Sequence, residues 1–235
     1  MTLSSSFECW RVLNQPTNSW GLAWFLAAEL CRRFYSSHGL VPWVIERGGL
    51  GYYGIEINHV RCGVHSGALE PLGRFTAGGN VENWRRGGPG DHGLNLMDEC
   101  LRGAETAALV HAAVAYFELP PIPLTSHISC RHKRWGDSYV LCFEVAAYLA
   151  MQYEGRSLAI WNHPFRVNAK LNELDAKASM PEHLGGFLFV RDGREILLAG
   201  DGRVLDGSGS NLWLDYMMGQ SVSALAQSIE RRLAG

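Results

Sequence analysis

Apolar residues recur at intervals of three and four near the start of the chain. Leu22, Phe25, Leu26, Leu30 and Phe34 fall on one side of a helix predicted over residues 19–37, with Glu29, Arg32 and Arg33 toward the other. Gly39 is the expected stop. The period then changes to two. Residues 41–46 and 52–60 read as strands joined by a glycine-rich turn, and Ile55 and Ile57 alternate with Glu56 and Asn58 as in a half-buried strand. From 63 to 93 glycines break any period, so this stretch is expected to be a long functional loop or to hide short strands.

A helix resumes near Leu94 with Asp91 as its cap, and Gly103 is placed to split it. Leu119, Pro120, Pro121, Ile122 and Pro123 end it. The next helix is predicted over 137–153, capped by Asp137 and stopped by Gly155. Apolar residues nearly encircle it, which makes it central and buried. Glu144 sits among them, either paired with a core arginine or marking a narrow exposed edge. Residues 157–161 read as a strand, and 168–182 as a polar helix or loop. Residues 186–190, 194–198 and 203–205 form a meander turned by Asp192-Gly193 and Asp201-Gly202. A last helix over 221–233 carries Val222, Leu225, Ile229 and Leu233 on one stripe.

Hairpin-linked strands with helices grouped around them make an α+β fold: an antiparallel meander-type sheet packed with several helices, plus a long glycine-rich loop. The chain reads as a single domain, 1–235, with 119–126 as the place where two halves would join. Helix-then-strand units occur in both halves without a visible sequence repeat.

Composition narrows the function classes. Hydrophobic residues make up 47% and charged residues 19% of the 235, with a formal net charge of -2. That is globular, and the short basic run at Arg131, His132, Lys133 and Arg134 is too small for a nucleic-acid-binding face. No secretory leader is visible, and the apolar stretch 22–30 contains Glu29 and is too short to span a bilayer. A cytoplasmic protein is expected. The six cysteines are scattered without a CxxC pair, which fits a reducing compartment.

Candidate chemistry is sparse. Gly49, Gly51 and Gly54 form a GxGxxG, but a strand follows where a dinucleotide site needs a helix, so the motif reads as a glycine-rich hairpin. No cofactor is expected. Two Cys/His clusters stand out: His59, Cys62 and His65, then His127, Cys130 and His132. Thiolate and imidazole ligands suit zinc, and His59, Cys62, His127 and Cys130 would be the set if the two loops met. Cys130 beside Arg131, Lys133 and Arg134 could instead be a thiolate nucleophile with a histidine base. Neither cluster has the spacing of a standard zinc module, and no orienting third group can be assigned to the thiol. Asp98, Glu99 and Glu105 face no second carboxylate, and there is no Walker loop, serine elbow, HExxH or EF-hand.

What remains is a chain rich in recognition residues, with 8 Trp and 8 Tyr. Trp84 beside Arg85 and Arg86, and Trp135 after Arg134, combine the side chains that dominate interface hot spots. Trp84 is expected to be exposed.

Three segments carry a resemblance: 48–54 (Gly-Gly-Leu-Gly-Tyr-Tyr-Gly), 134–139 (Arg-Trp-Gly-Asp-Ser-Tyr), which opens the buried helix, and the Asp-Gly meander. In organisation the chain resembles the immunity proteins of bacterial polymorphic-toxin and type VI secretion systems. The resemblance implies a cytoplasmic, stoichiometric inhibitor of a cognate protein toxin, without turnover. Against a nuclease, Glu173, Asp175 and Glu182 would mimic phosphate. The alternative is a zinc- or thiol-dependent enzyme using the clusters at 59–65 and 127–132.

Overall fold

A computed structural model describes residues 19–38, 40–46, 52–60, 69–76, 78–85, 94–119, 135–153, 158–174 and 185–235. The fold is α+β, with two antiparallel sheets where one was expected. Helix α1 (Ser19–His38) leads into β1 (Leu40–Glu46), β2 (Tyr52–Val60), β3 (Leu69–Thr76), β4 (Asn80–Asn83) and β5 (Leu94–Asn95), a five-stranded sheet in chain order. Helices α2 (Leu96–Leu101) and α3 (Thr106–Tyr116) follow. Helix α4 (Trp135–Tyr153) opens the second half. It is followed by β6 (Leu158–Asn162), α5 (Pro164–Leu174), β7 (Gly186–Arg191), β8 (Arg194–Ala199), α6 (Leu212–Met217) and α7 (Val222–Ala234). Strands β6, β7 and β8 form the second sheet.

The glycine-rich stretch is not one loop, because β3 and β4 lie within it. Gly73 is inside β3 for a steric reason. A Cβ there would stand 2.0 Å from the Glu82 carbonyl oxygen and 2.7 Å from the Phe117 ring, so the glycine admits the close approach of α3's end. Phe117 then meets Phe75 edge-on at 5.5 Å. Gly79, at φ +85°, turns β3 into β4.

Other boundaries shift. Gly103 (φ +95°) does divide the second predicted helix, but Asn95 caps α2, accepting a hydrogen bond from the Asp98 N–H; Asp91 lies outside the described residues. Helix α4 starts at Trp135, so Asp137 is inside it and is not its cap. Ser221 caps α7 as its sequence position implies, accepting from the Ala224 N–H. Asp192 (φ 50°) and Gly193 (φ 77°) form the tight turn of the β7–β8 hairpin. The third meander strand at 203–205 is reduced to isolated bridges, Leu198 to Val204 and Arg203 to Asn211, and β6 takes the third place in the sheet.

Two central helices hold the sheets together. All described side chains of 21–31 in α1 and 138–151 in α4 are buried, and Trp24 stacks on Phe143 at 4.9 Å. Helix α4 packs on the second sheet, whose other face is covered by α5 through Val167 and Leu171. One buried cluster runs from Leu22 to Leu233, so the two halves share a core. The proline boundary at 120–123 lies outside the described residues.

The halves are also built alike, which pattern reading missed. Phe25 and Phe143, Ala28 and Ala146, Tyr35 and Tyr153, Leu40 and Leu158, and Trp43 and Trp161 are each separated by the interval between Val44 and Asn162, 118 residues. Each unit is a buried helix followed by the edge strand of an antiparallel sheet. One pair of corresponding positions meets directly, Val44 against Asn162, while Trp24 stacks on Phe143, the counterpart of its neighbour Phe25.

That last contact seals an edge. Strands β1 and β6 are outermost in their sheets, and the backbone of β1 faces β6. Asn162 Oδ1 accepts from the Val44 N–H at 2.7 Å, and the Tyr139 hydroxyl donates to the Pro42 carbonyl at 3.0 Å. Asn162 Nδ2 donates in turn to the Tyr139 oxygen at 2.8 Å. Pro42 has no N–H to satisfy, as suits an edge strand.

Asn162→Ala should cost about 1–3 kcal/mol, because a buried N–H then lacks its acceptor. Tyr139→Phe should cost about 1 kcal/mol, and the double variant less than the sum of the two. Chemical denaturation checks this; an Asn162→Ala variant as stable as the parent would remove the clasp from the account.

Candidate functional site

The chemistry-bearing residues of the described chain gather in three places. The first is a cross-strand ladder on the five-stranded sheet, where Glu56, Arg74 and Glu82 stand opposite one another on β2, β3 and β4. Arg74 grips Glu82 with two nitrogens, Nε at 2.6 Å and Nη2 at 2.9 Å, and the Glu82 side chain is 1% exposed. Burial pushes the Glu56 carboxyl up, with Arg74 and Asn58 pulling the other way. Trp84 closes this row: its indole N–H lies 3.4 Å from Glu82 and its ring 6.0 Å from the Arg74 guanidinium. Trp84 is therefore half-buried, not exposed as expected, while Arg85 beside it is exposed.

The second is an ion network where α1 crosses α4. The Glu29 carboxylate accepts from Arg32 at 2.7 and 2.8 Å and from Arg33 at 3.0 and 3.1 Å. Arg32 Nε reaches Glu144 at 3.2 Å, which is the arginine partner that the buried position of Glu144 called for. Burial pushes the Glu144 carboxyl up to about 8; Arg32 opposes the shift and the Glu29 charge adds to it.

The third is a surface feature. On α6 and its C-cap, Leu214 is 55%, Met217 42% and Met218 76% exposed, while Leu212 and Trp213 on the same helix are buried. Asn211 caps this helix through the Trp213 and Leu214 N–H groups, and Trp213 stacks on Tyr216 at 6.1 Å. Phe165, at the start of α5, is also exposed.

Of the residues singled out in the sequence, few come together. Glu173 is exposed on α5 but paired with Lys170 at 2.6 Å. Asp175, Glu182 and Arg86 lie outside the described residues. Trp135 is the first residue of α4, with its side chain outside the description. The backbone of His59 pairs with Leu40 and Glu70 in the sheet, but its side chain, and all of Cys62, His65, His127, Cys130 and His132, lie outside it. Among the described residues no group of three or more His, Cys, Asp and Glu could hold a metal ion. Cys31, Cys100 and Cys142 are buried, and burial pushes the Cys31 and Cys142 thiols up, away from the thiolate form. No described helix is long and apolar enough to cross a membrane.

The ladder and the α6 face went unnoticed in the sequence. Residues 69–76 gave no period-two signal for the ladder, since Leu69, Leu72 and Phe75 recur at intervals of three and the strand register shifts beside Leu72. Nothing in the sequence marks Met217 and Met218 as exposed, since the same residues suit a core. The chain matches no protein-family model, no curated protein and no solved structure.

The Glu144 carboxyl gives a pH prediction. Its folded value lies above the unfolded value of about 4.3, so the folded state holds the proton longer and stability falls as pH rises between the two values. Glu144→Gln should match the parent's melting temperature near pH 5 and exceed it by a few °C near pH 8. Thermal unfolding across that range checks the sign, and a constant difference would contradict it.

Proposed function

We propose that this protein is a stoichiometric binding protein that neutralises a cognate secreted toxin, in the manner of polymorphic-toxin and type VI immunity proteins. The observation that carries the reading is the α6 face. Leu214, Met217 and Met218 present large apolar side chains to solvent from a capped helix whose other side is anchored in the core. A contiguous exposed apolar group on a fixed element is the mark of a protein contact, and methionines adapt well to a partner's shape. The ionisable groups of the interior support the same reading, because they are spent on internal pairs: Arg74 with Glu82, and Arg32 with Glu29 and Glu144.

The segments behind the resemblance sit where a scaffold needs them. Tyr52 and Gly54 begin β2, Trp135 opens the central helix α4, and Asp192-Gly193 turns the second sheet. The toxin's activity, and the cytoplasm as the place of action, belong to the same proposal.

Co-expression with the product of the neighbouring gene tests it. A one-to-one complex and rescue of growth are expected. Leu214→Asp with Met218→Asp should weaken that complex by about 100-fold or more while leaving the melting temperature unchanged. Neither complex nor rescue would overturn the reading, and full affinity in the double variant would remove α6 from it.

A further inference from the structure

The likeness of the two halves continues past the first strand. Phe75 pairs with Val81 in the first sheet, and Leu198 bridges to Val204 beside the second. Gly54 stands one residue before the other partner of Phe75, and Gly186 one residue before the other partner of Leu198. A Cβ on Gly54 would lie 2.7 Å from the Phe75 carbonyl oxygen, and one on Gly186 would lie 2.1 Å from that of Leu198. Each meander then turns at a left-handed glycine, Gly79 (φ +85°) or Gly202 (φ +92°), whose N–H donates to Thr76 or Ala199. The carbonyl of the same glycine accepts from the first residue of the short helix, Leu96 at 2.9 Å or Leu212 at 2.7 Å. Asn95 and Asn211 cap those helices, accepting from the Asp98 N–H at 2.9 Å and the Leu214 N–H at 3.2 Å. Gly103 (φ +95°) and Gly219 (φ +100°) follow them, and then come α3 and α7.

The contact that ties each sheet to its last helix also recurs. Asn83 Oδ1 accepts from the Arg85 N–H at 3.0 Å, and Asp206 Oδ1 from the Ser208 N–H at 2.9 Å. The other terminal atom of each side chain reaches the same helix position. Asn83 Nδ2 donates to the Tyr116 carbonyl, and Asp206 Oδ2 accepts from the Arg232 guanidinium. Tyr116 precedes the buried Phe117, and Arg232 precedes the buried Leu233. Side chains differ between the halves, while order, handedness and bonding agree. Among the described helices α5 alone has no counterpart; it covers Leu197 and Leu205, where the first sheet carries Arg74 and Glu82.

We infer that the chain is two copies of one unit, 19–117 and 135–234, and that the surface joining them is one that fits a second copy of that unit. Where two copies meet about a two-fold axis, a residue on the axis touches its own counterpart. Val44 and Asn162 are such a pair, bonded at 2.7 Å between the two edge strands. Trp24 and Phe143, stacked at 4.9 Å on the two central helices, lie one position from correspondence. The inference is independent of the toxin partner proposed above.

Two experiments on the full chain test it. In the first, a protease site is inserted between residues 126 and 127, and the folded protein is cut. The halves should stay together as a one-to-one complex in gel filtration, part in denaturant, and recombine on its removal with the parent's circular dichroism. Halves that separate in native buffer, or that fail to recombine, would overturn the unit–unit surface. The second experiment moves a contact from one copy to the other. Asn83→Asp should melt several °C below the parent, because it sets a carboxylate against the Tyr116 carbonyl. Adding Tyr116→Arg should recover at least half of that loss, since Arg232 reaches Asp206 from the matching helix position. If Asn83→Asp alone does not fold, return of a folded chain on adding Tyr116→Arg is the readout. A double variant no better than Asn83→Asp would overturn the equivalence of the copies.

Discussion

An outermost β-strand must find partners for the N–H and C=O groups along its open side, and β1 faces this demand inside the molecule, not at its surface. Its neighbour across the gap is β6, itself outermost in a second sheet, and the two do not join into one. The gap is closed by side chains. Asn162 takes the Val44 N–H, Tyr139 takes the Pro42 carbonyl, and the two bond each other. Tyr139 belongs to the central helix and Asn162 to the second sheet, so one small network fixes the position of three elements. Without it the two sheets would meet across unsatisfied backbone, at about 1–3 kcal/mol for each buried group left unpaired.

The rest of the architecture follows from this junction. With the edges fixed, α1 and α4 cross over them, buried on all sides, and Trp24 packs on Phe143 at the crossing. The ion network at Arg32 then falls where the two helices separate toward solvent, with Arg32 about a quarter exposed and Glu144 almost wholly covered. The similarity of the two halves has its physical expression at the same place. One equivalent pair, Val44 and Asn162, bonds across the junction, and identical side chains such as Trp43 and Trp161 hold equivalent positions on the two edge strands.

Functionally, the interior and the surface divide the work. Buried charges are matched within the ladder and the helix crossing, where each pair offsets part of its own desolvation. The outer side of α6 leaves Leu214, Met217 and Met218 exposed, the face that the proposed function assigns to a partner. The 206–210 loop and Arg232 secure α7, which packs on α4 and α6. The element proposed to meet a partner therefore rests on a firmly held base.

Periodicity alone determined the longer helices α1, α4 and α7 and most of the strands, but not α6, and it left the region of α5 open between helix and loop. Helical spacing of Leu22, Phe25, Leu26, Leu30 and Phe34, the apolar belt of α4, and the Asp192-Gly193 turn each depend on local geometry, which a sequence records directly. Gly103 was legible for the same reason. The strands around Gly73 were not, because that glycine answers to Phe117, a residue far along the chain that only the fold brings near. Pairing of Arg74 with Glu82, the meeting of Val44 with Asn162, and the exposure of Met217 and Met218 are likewise decided by tertiary placement. A side chain's identity fixes what it can bond or bury, but its partners are set by the packing of distant segments, which no local period encodes.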